Sequence, residues 1–239
     1  MKFRIFAASF HWFIVVLRSL EIERLPMFCY LTNIVYILCA SYYTIAAYNS
    51  LSLSEESLPL YHKLIQNPLV FRMDRVCYEE KLSVIKIKCL IQWLLHSIVL
   101  NLSILVSVMY FLLIYKPDVD RLGLTNISRH ILNSVFILTE FSLNSIHVKF
   151  VHVIYGLSLA VIYAFYTLIF WYVIAPPENY IYELINWNQP KKTLKLIFML
   201  MSAAVIVKCI LVGFSKAKFW SHGCQVSRDI ESPAQSFLV

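Results

Sequence analysis

The chain has 239 residues, 59% of them hydrophobic and 15% charged, and a formal net charge of +7. A soluble domain of this length has too little interior to hide so much apolar surface, and globular chains usually carry about 25% charged residues. Four glycines argue against a glycine-rich nucleotide loop, and Lys and Arg scattered between apolar runs argue for anionic lipid headgroups as partners and against nucleic acid.

A spanning helix needs about 20 apolar residues. The first candidate, residues 3–17, is shorter and is flanked by Lys2, Arg4 and Arg18. No small-residue cleavage site follows it, so it is expected to be retained as a first span. The second run covers 27–48. Residues 49–88 form the longest and most polar connection, expected as a solvated loop that leads into the third run, 89–115. The fourth, 129–146, is the least apolar. The fifth and sixth cover 152–174 and 194–214, and a polar tail, 215–239, follows.

The runs are unbroken, unlike the alternating segments of about ten residues that build a barrel, and lipid requires each backbone polar group to be satisfied within its own segment. The expected fold is therefore all-α, a polytopic membrane helix bundle of about six transmembrane helices in one domain, 1–239. With six spans both termini share a side. That side collects more Lys and Arg, which favours cytosolic termini in the plasma membrane or an endomembrane. The six cysteines include no CxxC pair. Neither a disulfide framework nor a zinc site is expected, and no cofactor is implied. Cys39 and Cys209 are expected to pack within apolar runs.

Polar groups inside lipid are costly, so they mark function or helix association. In the fourth run His130, Asn133, Ser134, Glu140 and Asn144 fall on one helical face and should point to the bundle interior. Gln92, His96 and Asn101 are expected to line the same interior. Glu140 lies near mid-membrane, with Lys208 of the sixth run as its expected partner. The second and fourth runs cross in the same direction, which brings Thr32 and His130 to similar depth. A hydroxyl beside an imidazole is the minimum apparatus of nucleophilic acyl transfer, with the imidazole as base; Asn33 and Asn133 are candidate orienting groups. Tyr48, Tyr110, Tyr115, Trp171 and Trp187 near run ends are expected as an interfacial belt. Asn126-Ile127-Ser128 and Asn101-Leu102-Ser103 match the glycosylation sequon; the second lies inside a run.

The segments Tyr30-Leu31-Thr32-Asn33, His130-Ile131-Leu132-Asn133 and Ile181-Tyr182-Glu183-Leu184-Ile185-Asn186-Trp187 resemble the Rolling stone family of invertebrate membrane proteins, over about residues 10–214. That resemblance implies a multi-pass membrane protein and an association with myoblast fusion. More distantly, the chain is similar to the androgen-induced transmembrane hydrolases, which cleave fatty acid esters of hydroxy fatty acids with an intramembrane Thr and His. Thr32 follows an aromatic-Leu dipeptide, and His130 precedes Phe136-Ile137-Leu138-Thr139-Glu140 by six residues, as in that pattern; the residues around His130 differ from it. This similarity implies a threonine-type lipid ester hydrolase, with Thr32 and His130 catalytic and Asn33, Asn133, Ser134 and Glu140 supporting. The competing expectation is a non-catalytic protein of cell fusion or membrane organisation.

Overall fold

The computed structural model describes residues 1–20, 26–52, 79–116, 123–144, 146–174 and 180–231. Six helical segments follow in chain order, with no strand among the described residues. They are α1 (Lys2–Ser19), α2 (Leu31–Ser52), α3 (Glu79–Met109), α4 (124–143), α5 (Val153–Val173) and α6 (Pro190–Glu231). Four of them contain stretches long and apolar enough to cross a membrane: Leu31–Ser52, Ile87–Ile114, Phe150–Val173 and Pro190–Lys218. The protein is thus an all-helical membrane bundle. α1 and α4 fall outside that group of four, so the expected count of six spans is not established by length and hydropathy.

α3 is the central helix and packs against α2, α4, α5 and α6, while α1 packs along α2. The apolar core runs between them through Val35, Cys39, Tyr43, Val99, Leu102 and Ile137. On the outside, Phe165 and Phe198 are 61% and 73% exposed. Water would penalise such a surface and lipid does not, which is why the apolar runs form helices that bury so little of themselves. α1 follows a different rule. Arg4, His11 and Arg18 recur every seven residues on its inner face, and Phe6, Phe13 and Val16 face outward. This inverted amphipathicity suits a helix whose outer face meets lipid.

Three boundaries differ from expectation. α2 runs on to Ser52 and α3 begins at Glu79, so helix covers both ends of the 49–88 connection; residues 53–78 lie outside the described residues. α6 continues to Glu231, so residue 215 does not begin a free tail. Its Ser215 hydroxyl accepts a hydrogen bond from the Val148 N–H at 3.2 Å, and Lys218 donates to the Phe141 and Asn144 carbonyls at the open end of α4. A cation satisfying the last carbonyls of a helix is favourable in charge and in hydrogen bonding.

Candidate active site

The second helix enters the bundle through a short 3-10 turn, Met27–Cys29, and an extended Tyr30. This leaves the first N–H groups of α2 without helical partners. Tyr163 of α5 fills the gap: its hydroxyl accepts from the Leu31 N–H at 3.2 Å and donates to the Cys29 carbonyl at 2.8 Å. Thr32 sits in the first turn, on the wall of a cavity that Tyr110, Tyr163 and Tyr182 also line. The Tyr182 hydroxyl lies within hydrogen-bonding reach of Thr32 and Tyr163. Burial pushes the Tyr182 phenol up from its ordinary range, so it keeps its proton and can act as a donor.

His130 stands behind this cavity. Its ring stacks on Tyr110 with centroids 3.5 Å apart and planes 7° from parallel. Both residues belong to π-helical turns, Tyr110–Ile114 at the end of α3 and Ser128–Leu132 within α4. Each such turn inserts a residue into the helical repeat and re-aims the side chains around it, a device common at functional sites. The Tyr110 hydroxyl accepts from the Asn126 amide at 2.6 Å. Arg129 donates to the Asn33 side-chain oxygen at 3.0 Å, and Asn33 donates in turn to the Met27 carbonyl at 3.0 Å. The guanidinium groups of Arg18 and Arg129 both lie within electrostatic reach of His130. The His130 Nδ1 is buried with no hydrogen-bond partner among the described residues.

Thr32 and His130 therefore occupy the same end of the bundle, linked through Tyr110, and no direct hydrogen bond between them is formed. Over them lies residues 180–189. Tyr182, Leu184 and Ile185 line the cavity, and the Tyr182 ring meets Tyr30 edge-on with centroids 5.8 Å apart. Trp187 donates to the Thr167 hydroxyl at 3.1 Å, Trp171 to the Asn188 side-chain oxygen at 3.0 Å, and the Thr193 hydroxyl to the Asn186 carbonyl at 2.8 Å. These bonds fasten the segment to α5 and α6 as a cap. Two of the three sequence motifs, far apart in the chain, thus line one cavity, and the third adjoins it through the stack of His130 on Tyr110.

A family model described as Protein rolling stone matches residues 3–226. The chain belongs to the Rolling stone family. It is 27% identical over 135 residues to "Protein rolling stone" of Drosophila melanogaster, an alignment covering 54% of this chain and 48% of that protein. The chain therefore matches about half the length of this relative. No solved structure matches.

The other polar residues of this Rolling stone family member separate from the cavity. His130, Asn133, Glu140 and Asn144 are buried, as the shared face requires. Ser134 bonds to α3, through the Ser107 hydroxyl at 2.6 Å and the Ser103 carbonyl at 2.9 Å. Asn133 is buried beside His11 and Cys39. Neither reaches the Thr32 cavity wall. Gln92, His96 and Asn101 all point inward. Gln92 accepts from Asn49 at 2.8 Å, and His96 bonds to Asn144 at 2.9 Å. Cys39 is buried against Ser103, whereas Cys209 is exposed on the outer face of α6.

The expected Glu140–Lys208 pair is not formed. Glu140 bonds to Arg4, with nitrogen–oxygen distances of 2.7 and 2.9 Å, and accepts from the Tyr42 hydroxyl at 3.1 Å. Arg4 also donates to Ser50 at 2.7 Å. The reason is reach: the N-terminal end of α1 lies beside the C-terminal end of α4, and the long guanidinium spans the gap. Lys208 is fully buried, and its Nζ has no hydrogen-bond partner among the described residues. Lys208→Met, of similar length, should therefore raise stability by about 2 kcal/mol or more, by removing a buried cation; an upward shift in thermal unfolding in detergent reads it, and a downward shift would show that the ammonium is satisfied.

Sequence reasoning missed Tyr110, Tyr163, Tyr182, Asn126 and Arg129. Tyr110 and Trp187 were expected in an interfacial belt, yet Tyr110 is buried against His130. Tyr182 lay within a family motif but carried no role. The Asn126 amide nitrogen, the atom a glycan would take, is held by Tyr110. The sequon should consequently be unoccupied, and endoglycosidase treatment of the protein from a eukaryotic host should leave its electrophoretic mobility unchanged.

Proposed function

We propose that this protein is a membrane-embedded hydrolase of fatty acyl esters, with Thr32 as nucleophile and His130 as base. The observation that carries the reading is Thr32 on the wall of a cavity capped by Tyr182, with the buried His130 imidazole stacked on Tyr110 of the same wall. In the proposed reaction the Thr32 oxygen bonds to the ester carbonyl carbon and its proton passes to His130. The carbonyl oxygen takes the negative charge, for which the Tyr182 hydroxyl is the nearest donor. The alcohol leaves with the proton held by His130. Water then attacks the acyl-threonine, releases the fatty acid and restores the hydroxyl. Rotation of the Tyr110 ring would open the path between Thr32 and His130, since catalytic contacts are often loose before substrate binds.

In this reading α1 and α4 complete six spans, both termini are cytosolic, and the Thr32 cavity lies toward the opposite face. Purified protein in lipid nanodiscs should cleave fatty acyl esters, and Thr32→Ala and His130→Ala should each lose that activity. Full activity in both variants removes the proposal.

The second reading is a non-catalytic role in cell fusion or membrane organisation, favoured by the lack of a direct Thr32–His130 bond. It requires that Thr32→Ala restore a null phenotype as well as the unaltered chain does. Failure of that variant at normal surface expression counts against it.

A further inference from the structure

The Thr32 cavity does not end at Thr32. A second cavity shares its Leu31, Val106, Tyr163, Ile185 and Leu200 walls and continues between α3, α5 and α6 to Leu102, Ala160, Met201 and Ala204. Together they form one groove that is apolar along its length. Thr32, Tyr110, Tyr163 and Tyr182 stand at its capped end, where carbon still makes up nearly all of the wall, and below them the walls are aliphatic. Small side chains, Ala160, Ala164 and Ala204, widen its inner part. All three flanking helices carry stretches apolar enough to span a membrane, so the groove runs between candidate membrane-spanning helices.

From Leu196 to Ala204 the groove follows α6 for eight residues, or about 12 Å at the helical rise, equal in length to roughly ten carbons of an extended chain. That is well short of the about 30 Å hydrocarbon layer. The ligand such a shape selects is a single apolar acyl chain, with its ester end at Thr32 and its tail pointing toward Ala204.

We propose that this groove holds the acyl chain of the lipid substrate and that Ala160 and Met201 at its inner end set the chain length accepted. The proposal rests on the Thr32 hydrolase reading for the word substrate, but chain binding is separable from chemistry. Ala160 and Met201 are both only partly buried, so the bundle can absorb changes there. Ala160→Phe fills the inner end and should move the preferred ester toward shorter chains, by at least tenfold in the ratio of kcat/KM for medium against long chains. Met201→Ala deepens it and should move the ratio the other way. Melting curves of both variants confirm folding.

The second measurement needs no turnover. A non-hydrolysable acyl amide with a diazirine at the tip of a ten-carbon chain is photolysed with the full-length protein in nanodiscs, and the labelled peptide is identified by mass spectrometry. Labelling at Leu102 or at Met201–Ala204, reduced by Ala160→Phe, supports the groove. Labelling spread over outward-facing residues such as Phe165 and Phe198 overturns it. Labelling of the inner end without ester cleavage keeps the groove and removes the hydrolase reading. Cleavage with a chain-length preference unchanged in both variants overturns the groove and keeps the hydrolase.

Discussion

Thr32→Ala is expected to abolish ester cleavage and acyl-enzyme formation together, because alanine supplies no oxygen to attack the carbonyl. His130→Gln should leave a residual rate, lower by about 10²–10⁴-fold, the range that a positioned general base contributes. Three further variants separate this chemistry from structural damage. Thr32→Ser retains the hydroxyl and should retain acylation. Tyr110→Phe retains the ring that stacks on His130 and loses only the hydroxyl that accepts from Asn126; Tyr110→Ala loses both. If the stack holds the imidazole in place, Tyr110→Phe should stay close to full activity and Tyr110→Ala should fall toward His130→Gln. The sharpest readout is trapping: a fluorophosphonate probe should label the unaltered protein and Thr32→Ser, and leave Thr32→Ala unlabelled. Equal labelling of Thr32→Ala would place the nucleophile elsewhere.

These expectations involve residues of unequal legibility in the chain. Apolar run length was enough to locate every helix, because in lipid the backbone has few alternatives once about 20 apolar residues follow one another. The buried face of α4 was legible for a similar reason, since only one face of that run is polar. Two π turns were not. Neither the apolar Tyr110–Ile114 nor the polar-to-apolar Ser128–Leu132 carries a residue that marks a π turn, yet each shifts the residues beyond it by part of a turn. That shift helps to bring Tyr110 onto His130. Arg4 is legible in the sequence only as a charge flanking the first run, whereas its partner is fixed by how α1 leans on the bundle, a tertiary fact. The same holds for Tyr182, whose position depends on a capping segment anchored through Trp187 and Asn188. Thr32 and His130 are linked through Tyr110, an arrangement that depends on packing and that crossing direction leaves open.

Arg4 has a consequence for stability and for the charge count. Glu140 is 2% exposed and Arg4 19%, so the two ends of their ion pair are not equivalent. Removing Arg4 leaves a carboxylate inside the bundle with the Tyr42 hydroxyl as its nearest donor, and should cost about 3–5 kcal/mol, the usual penalty for breaking a buried pair from one side. Removing the charge at Glu140 leaves a guanidinium that still donates to Ser50 and retains some solvent, so Glu140→Gln should cost clearly less than Arg4→Met. Restoring neutrality on both sides, with Arg4→Met and Glu140→Met together, should recover most of the Arg4→Met loss, because the pair's attraction only repays the expense of taking two charges out of water. Thermal unfolding of the four proteins in one detergent measures the cycle. Additive losses, with no recovery in the double variant, would show that Arg4 and Glu140 stabilise the bundle separately and that the contact between α1 and α4 does not depend on their charge. In the expected outcome Arg4 counts as a bundle residue, and so does Arg18 at the other end of α1, buried in reach of His130. Neither then counts among the flanking charges that set orientation, so any such bias rests on the loop and tail lysines and arginines alone.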